Sequence, residues 1–582
     1  MSDWRRWWAN RFEASRLHLA HPDALLLISM LGLLTGLFTG AVVLVFRLAV
    51  ESSQELLLPG SGPENYEALL GWQRLALPIA GGVLLALLFK WVAKGLETLG
   101  VAGVIDRMTY HQGYISARGL LLQFAGAAVS IVTGYSVGRE GPHVYLGAAV
   151  GSLLGQRLTV PNNAIRTLVG CGTAAAIAAS FNTPLAGVIF SLEVVMMEYS
   201  TTSFIPVLLA AISATALSDS VLGTEPAFVV PAFQLHSLTE MGVVVILAGA
   251  AGAVSAAFIE VVRTVASRTD DMKIWWRVAI AGAVAGGFGL LVPQVMGIGY
   301  DSVDAALNGN YAIGLLALLV VGKLLATAIG IGLGVPGGMI GPALFIGAML
   351  GALVAAVVNL IGLGPTIEPG FYALLGLGAM MSASLQAPLA ALTAMLELTD
   401  NPAVILPGML AVVVAGLTAS EIFKKRSLFM SMLQATGREY RTSPVLQALR
   451  RTGVASVMDK RFVRAGTVVS REEAAALLAE EPAWILLSTD DRPQTGLPAI
   501  DLANYIESTP PPGESEAIDL LAIPAKRLQL APVNLQATLQ QAWERLEDGE
   551  GEALYVESGT VPGIMRVYGV LTKEAVESAY RF

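Results

Sequence analysis

Three observations predict an all-α polytopic membrane protein of tilted and broken helices, followed by a small α/β soluble domain. The first is composition. The 582 residues are 54% apolar and only 14% charged, with a mean hydropathy of +0.64, whereas a soluble domain carries about 25% charged residues. The second is arrangement, because fourteen apolar runs follow one another between residues 24 and 423. The third is the return of charge at the end of the chain. Residues 450–582 hold 20 acidic and 13 basic side chains, which is −7 of the overall −9. This composition excludes a disordered chain and an ordinary cytosolic enzyme. The negative balance leaves no basic footprint for nucleic acid. The single cysteine, Cys171, excludes a disulfide framework and a CxxC metal site.

The elements follow in chain order. Residues 1–22 mix Trp4, Trp7, Trp8 and Phe12 with Arg5, Arg6, Arg11 and Arg16. Both residue types suit the headgroup layer, so this stretch reads as an interfacial helix. No small-residue cleavage site closes an apolar run, so it is not a cleavable signal. Four arginines before the first span favour a cytoplasmic N-terminus. Several of the apolar runs, such as 119–134, 143–156 and 388–397, fall short of the roughly 20 residues a span needs. Gly and Pro interrupt them. They read as broken or re-entrant helices whose ends are buried in protein or line a wet cavity.

The membrane part repeats itself. Gly138–Pro142 and Gly338–Pro342 share G-x-x-G-P at an offset of 200 residues. Phe181-Asn182-Thr183-Pro184-Leu185-Ala186, leading to Glu193, matches Leu385-Gln386-Ala387-Pro388-Leu389-Ala390, leading to Glu397, at an offset of 204. The halves are residues 23–221 and 222–435, and the sequence leaves open whether they are parallel or inverted. Interrupted helices at matched positions of two halves point to a substrate site near the bilayer midplane. A polar connector, 436–449, leads to the soluble domain at 450–582. There, short strands (Trp484–Leu487, Ala553–Val556, Val567–Leu571) alternate with amphipathic helices (Arg471–Glu480, Leu535–Glu547, Lys573–Tyr580), and Glu507–Glu516 reads as a linker between two similar βα units.

The chemistry concentrates in Gly134-Tyr135-Ser136-Val137-Gly138-Arg139-Glu140-Gly141-Pro142. An ionisable residue in an apolar region is costly and marks a functional site. Glycines let backbone amides point at a ligand, and proline suits a helix start. A helix start carries partial positive charge and binds anions. A carboxylate there occupies the anion position and leaves when protonated, which makes Glu140 a candidate gate. The alternative is a helix cap paired with Arg139. Gly334-Val335-Pro336-Gly337-Gly338-Met339-Ile340-Gly341-Pro342 offers similar amides without a charged side chain. Glu193 and Glu397, at matched positions, read as caps or partners of helix ends. Lys323, His143 and the Glu260/Arg263 pair read as structural.

GREGP, then FNTPLAGVIFSLE, then GVPGGMIGP, then LQAPLAALTAMLELTDN resemble, in order and spacing, the motifs of the CLC chloride channel and transporter family over roughly residues 24–435. The resemblance implies a CLC-type inverted repeat and a homodimer in the lipid bilayer of a bacterial inner membrane. It implies one pathway per subunit for chloride and similar anions, and Glu140 as the gating glutamate. It places anion-binding groups at Gly138, Arg139, Gly141, Met339, Ile340 and Gly341. The family's first anion motif aligns with Val101-Ala102-Gly103-Val104-Ile105, so Ala102 and Gly103 join the set, with alanine where the family has serine. Gly60-Ser61-Gly62-Pro63 comes too early to be that motif. The family tyrosine position is Phe429. With both hydroxyls replaced, the anion rests on backbone amides.

Proton-coupled members of the family usually carry a second glutamate after the one aligned with Glu193, and here that internal proton-glutamate position is Val194. The expectation is therefore a passive, voltage- and pH-gated chloride channel, the alternative being a chloride/proton antiporter. The C-terminal domain resembles a tandem CBS pair, which in the family lies on the cytoplasmic side and sometimes binds adenine nucleotides. The ribose-binding acid of its usual T-x-x-D pattern would fall at Ala575, with a counterpart near Leu502. The expectation is a structural or dimerising module, with an adenine nucleotide as the one cofactor left open.

Two rival classes fit less well. A membrane metalloprotease wants H-E-x-x-H, which is absent among the five histidines. A cation transporter wants several convergent carboxylates or carbonyls, and the apolar core has few acids.

Overall fold

Helices make up most of what is described of the first 440 residues, because the apolar runs leave no water to satisfy a bare backbone. The computed structural model describes residues 18–21, 24–60, 64–92, 99–223, 240–362, 367–399, 401–435, 437–438, 444–488, 492–508, 517–561 and 564–579. The interfacial helix expected over residues 1–22 lies almost wholly outside them, as does the centre of the expected linker at 507–516. Two compact units are present: 28–157 with 166–440, and 1–27 with 158–165 and 441–582.

The membrane unit contains α1 (Leu25–Leu57), α2 (Gly71–Trp91), α3 (Gly100–Tyr110), α4 (Ala117–Val132), α5 (Glu140–Arg157), α6 (Asn162–Phe181), α7 (Pro184–Phe190) and α8 (Thr201–Leu222). The second half repeats them as α9 (Glu240–Arg268), α10 (Ile274–Leu291), α11 (Tyr300–Leu307), α12 (Ile313–Gly332), α13 (Ile340–Ile361), α14 (Pro369–Leu385), α15 (Pro388–Thr399) and α16 (Ile405–Leu417). A short α17 (Leu428–Ala435) follows. Among the described residues, nine helices are long and apolar enough to cross a membrane. Others stop short, since α15 at 1.5 Å per residue reaches about 18 Å of a roughly 30 Å core. Prolines start α7, α14 and α15, where a missing N–H costs nothing.

The halves correspond in packing as well as order. A Cβ added at Gly147 would meet Gly172 O at 2.2 Å, and one at Gly347 would meet Gly376 O at 2.3 Å. Bare glycines thus let α5 cross α6, and α13 cross α14, at backbone contact. The two G-x-x-G-P motifs meet directly. Gly138 N–H donates to Gly338 O at 2.8 Å and Gly338 N–H donates to Gly138 O at 2.7 Å, an antiparallel bridge between equivalent residues. Equivalent segments meeting head to tail are related by a local twofold, as an inverted repeat requires.

Reciprocal caps join the halves a second time. The Glu193 carboxylate accepts from the N–H groups of Leu389 (3.2 Å) and Ala390 (2.8 Å) at the start of α15. The Glu397 carboxylate accepts from those of Leu185 (2.9 Å) and Ala186 (2.7 Å) at the start of α7. Each carboxylate thus satisfies orphan donors at the helix end that belongs to the other half.

In the soluble unit, α18 (Pro444–Arg451) and α19 (Val454–Val457) precede a six-stranded sheet. Its strands are β1 (Phe462–Ala465), β3 (Trp484–Ser488), β4 (Pro493–Pro498), β6 (Leu528–Asn534), β7 (Ala553–Val561) and β8 (Ile564–Thr572), in the order β1-β3-β4-β6-β7-β8. A separate ladder pairs β2 (Val468–Val469) with β5 (Ile518–Asp519). Helices α20 (Arg471–Ala479), α21 (Ala499–Ser508), α22 (Leu539–Glu547) and α23 (Lys573–Ser578) cover the strands. Parallel β1–β3 and β6–β7 pairs with antiparallel β3–β4 and β7–β8 pairs make two βαββ halves. Each half has its own apolar core. Helix α22 starts at Leu539 and not at Leu535, because β6 runs on to Asn534 and the Gln541 carboxamide accepts the Thr538 N–H at 3.0 Å.

Candidate functional site

Glu140 is the first residue of α5 and is fully buried. Its side chain reaches away from its own helix. Oε2 accepts a hydrogen bond from the Gly341 N–H at 3.1 Å, at the start of α13. Oε1 accepts one from the Tyr300 hydroxyl. The helix-cap reading with Arg139 as partner therefore fails. The Arg139 guanidinium lies 3.6 Å from Glu51 and 5.2 Å from the centre of the Tyr300 ring. A carboxylate held by a backbone N–H at a helix start occupies the position an anion would take.

Glycine is what makes room for it. A Cβ at Gly138 would stand 2.3 Å from Glu140 Oε2, and one at Gly341 would stand 2.8 Å from the same oxygen. A Cβ at Gly141 would meet Gly338 Cα at 2.6 Å. The repeated motif is thus a steric requirement of two helix starts facing each other with a carboxylate between them.

Two cavities flank this point. One of about 580 Å³ is lined by Arg139 and Tyr300, together with the acids Glu51, Glu64, Asp219, Asp301 and Asp304 and the base Arg47. The other, of about 680 Å³, is lined by Gly100, Val101 and Ala102 of α3, by Gly141, by Gly337–Met339 and by Phe429. Its charged residues are Asp270, Lys273, Arg277 and Arg438. Arg139 thus faces the first cavity and Gly141 the second, while Glu140 lies between them. The first cavity is lined mainly by acids and the second mainly by bases, one of which, Arg438, is paired with Asp106.

The expected anion set divides on this geometry. Ala102, Gly141, Met339 and Phe429 share the wall of the second cavity. The Gly341 N–H donates to the Glu140 carboxylate, and Ile340 is the buried first residue of α13 beside it. Gly138 is corrected, because its N–H is taken by Gly338 O and is not offered to a ligand. Arg139 is corrected as well, since its guanidinium belongs to the acidic first cavity. Gly103 sits one residue beyond the α3 amides that reach the second cavity. Val194 lies in a π-helical turn after α7, is 5% exposed and lines neither cavity.

Three residues gain roles that the sequence did not reveal. Tyr300 opens α11 and donates its hydroxyl to Glu140 Oε1. Gly100, the first residue of α3, and Gly299, just before α11, both have positive φ, +71° and +84°. That matched pair of turns, about 200 residues apart, was the available signal. Lys323, fully buried on α12, donates to the carbonyls of Val295 (3.1 Å), Gly297 (2.9 Å) and Ile298 (3.0 Å). It therefore braces the segment that delivers Tyr300. The Gln123 carboxamide oxygen accepts the Gly100 N–H at 2.8 Å, capping α3 where the anion motif was expected.

Comparison with known proteins follows the same lines. Residues 81–420 match the family model described as voltage gated chloride channel. A ClcB-like protein of Ralstonia nicotianae, described as a candidate chloride channel, is 34% identical over 60% of this chain and 83% of its own. The H(+)/Cl(-) exchange transporter ClcA of Vibrio campbellii is 30% identical over 67% of this chain and 86% of its own. A crystal structure of a eukaryotic CLC transporter superposes with a TM-score of 0.61 at 18% identity, covering 95% of this chain and 98% of that one. The passive-channel expectation is overturned by the exchange transporters, which align over two thirds of this chain. It rested on Val194, which is buried and lines neither of these two cavities.

Proposed function

Because the chain belongs to the voltage gated chloride channel family, we propose that it is an integral membrane exchanger that moves chloride in one direction and protons in the other. The observation that carries this reading is the Glu140 carboxylate on the Gly341 N–H, between two cavities. Ionised, Glu140 fills the anion berth. Protonated, it loses the charge that holds it to the helix start, and chloride takes the amides of Met339, Ile340 and Gly341. Returning to the berth requires the proton to leave, so the two ions alternate at one place. Ala102 and Phe429 line the approach without supplying a hydroxyl, and chloride there rests on backbone amides.

Protons reach the gate from the second cavity through water. At about 30 Å³ per molecule its volume has room for about twenty waters, and its wall includes Gly141, the neighbour of Glu140. No carboxylate at position 194 is needed for that route. The second cavity faces the cytoplasm and the acidic first cavity faces outside, with both termini cytoplasmic, in a bacterial inner membrane. The functional unit is a homodimer. In support, α7 and α15 are too short to span and present Leu185 and Leu389, 40% and 49% exposed, which a second subunit would cover. The C-terminal unit serves as a tandem CBS pair with a structural role. Leu502 is wholly buried where a ribose-binding acid would be sought, and scanning fluorimetry with ATP, ADP and AMP tests that role.

The exchange itself is tested by reversal potentials in proteoliposomes under a fixed chloride gradient. Changing the pH on one side moves the reversal potential of an exchanger. A potential that follows chloride alone refutes the proposal.

A further inference from the structure

Tyr300 is held more firmly than its place at the start of an eight-residue helix requires. Its backbone N–H and that of Gly299 donate to Glu64 Oε2 at 3.3 and 3.1 Å. The preceding carbonyls are pinned by Lys323. Its ring lies between the Arg139 guanidinium, 5.2 Å away, and the Phe181 ring, 6.3 Å away. A ring fixed in this way aims its hydroxyl at one target, and that target is Glu140 Oε1.

We propose that Tyr300 is the positioning residue of the gate, a latch whose hydroxyl holds the Glu140 carboxylate in the chloride berth and sets the acidity at which it lets go. The proposal rests on the gate reading above. A hydroxyl donated to a carboxylate is stronger than one donated to a neutral carboxyl. The bond therefore favours the ionised, closed gate, and removing it makes Glu140 easier to protonate and easier to release. The other titratable groups around the gate come from several elements: Arg139 and His143 on either side of Glu140, Glu51 on α1, Glu64 between α1 and α2, Asp301 beside Tyr300, and Lys323 on α12. All remain when only the hydroxyl is removed.

The test is the pH profile of chloride efflux from proteoliposomes for the full chain. Tyr300→Phe is expected to move the pH of half-maximal efflux upward by about one unit, a tenfold gain in proton affinity. Tyr300→Leu, which fills part of the same space and has no side-chain donor, shifts the same way. In a Glu140→Gln background, Tyr300→Phe changes neither the rate nor its flat profile. An unshifted or acid-shifted midpoint in either single variant overturns the latch, as does a further change in the double variant. In a Glu64→Gln background the upward shift persists, and its loss there would assign the effect to Glu64 instead. Proton movement in the same vesicles is scored separately. Wild-type vesicles that move chloride without protons refute the exchanger, while the latch is judged on the efflux midpoint alone.

Discussion

Replacing Glu397 with glutamine tests how the two halves are fastened. The carboxylate accepts two backbone N–H bonds, at 2.9 and 2.7 Å, from the first turn of α7. Glutamine keeps one acceptor and turns its NH2 toward the other donor, so one bond and the charge are lost together. A charge-assisted bond contributes about 1.5–3 kcal/mol net, and loss of an N-cap costs about 0.5–2 kcal/mol. The side chain is half-buried, so water replaces part of the loss, and about 2 kcal/mol is expected. Glu193→Gln removes the equivalent bonds on α15 and costs a similar amount. The caps are crossed, because Glu397 lies on the helix that Glu193 caps, and Glu193 follows the helix that Glu397 caps. Releasing one helix already weakens the other contact, so the double variant loses less than the sum, with a coupling of about 1 kcal/mol. The assay is SDS-driven unfolding in mixed micelles, followed by tryptophan fluorescence, for all four proteins of the cycle. Strict additivity, or single losses under about 0.5 kcal/mol, would refute the idea that these carboxylates clamp the repeats.

Other outcomes follow from the same geometry. Gly341→Ala puts a methyl 2.8 Å from Glu140 Oε2, so the gate is evicted and chloride efflux loses its acid dependence; a wild-type pH profile would contradict this. Ala102→Ser adds a hydroxyl to the wall of the second cavity. If it meets the anion, chloride binding measured by calorimetry tightens by about 1.4 kcal/mol, tenfold, and unchanged binding would remove Ala102 from the pathway. Burial, with the Asp301 carboxylate adding to it, pushes the Glu64 carboxyl up to about 7, against the pull of Arg139, the Gly299 N–H and Lys323. A carboxyl whose proton is held more tightly in the folded protein adds stability that is lost as pH rises through that value. Thermal stability in detergent therefore falls between about pH 4.5 and 7, and Glu64→Gln reduces that fall.

Much of the fold was legible because its constraints are local or repeated. Glycine at 138, 141, 338 and 341 is dictated by atoms closer than a Cβ allows, so the steric demand is written twice, 200 residues apart. Glu140 stood out because a carboxylate in an apolar segment needs a reason. Its partner was not legible, since Gly341 is adjacent only once the two helix starts face each other. Tyr300 depends on a segment folded around Lys323, and only the glycine before it, matched by Gly100 in the first half, marks the place in the sequence. Val194 misled because a missing carboxylate matters only if the position faces a proton route, which is a property of the packed helices. In the soluble unit, β4 begins and ends in proline and contains Gly496, so its composition reads as turn. The ladder that pairs Leu486 with Gly496 and Ile485 with Leu497 overrides that local preference.

The account depends on one acidic side chain serving both ions, and Glu140→Gln measures that directly. Chloride and proton fluxes are recorded together in proteoliposomes under a chloride gradient. The variant is expected to keep passing chloride, without acid dependence, while proton movement disappears. Proton movement that survives at the wild-type ratio would place the exchange elsewhere in the protein.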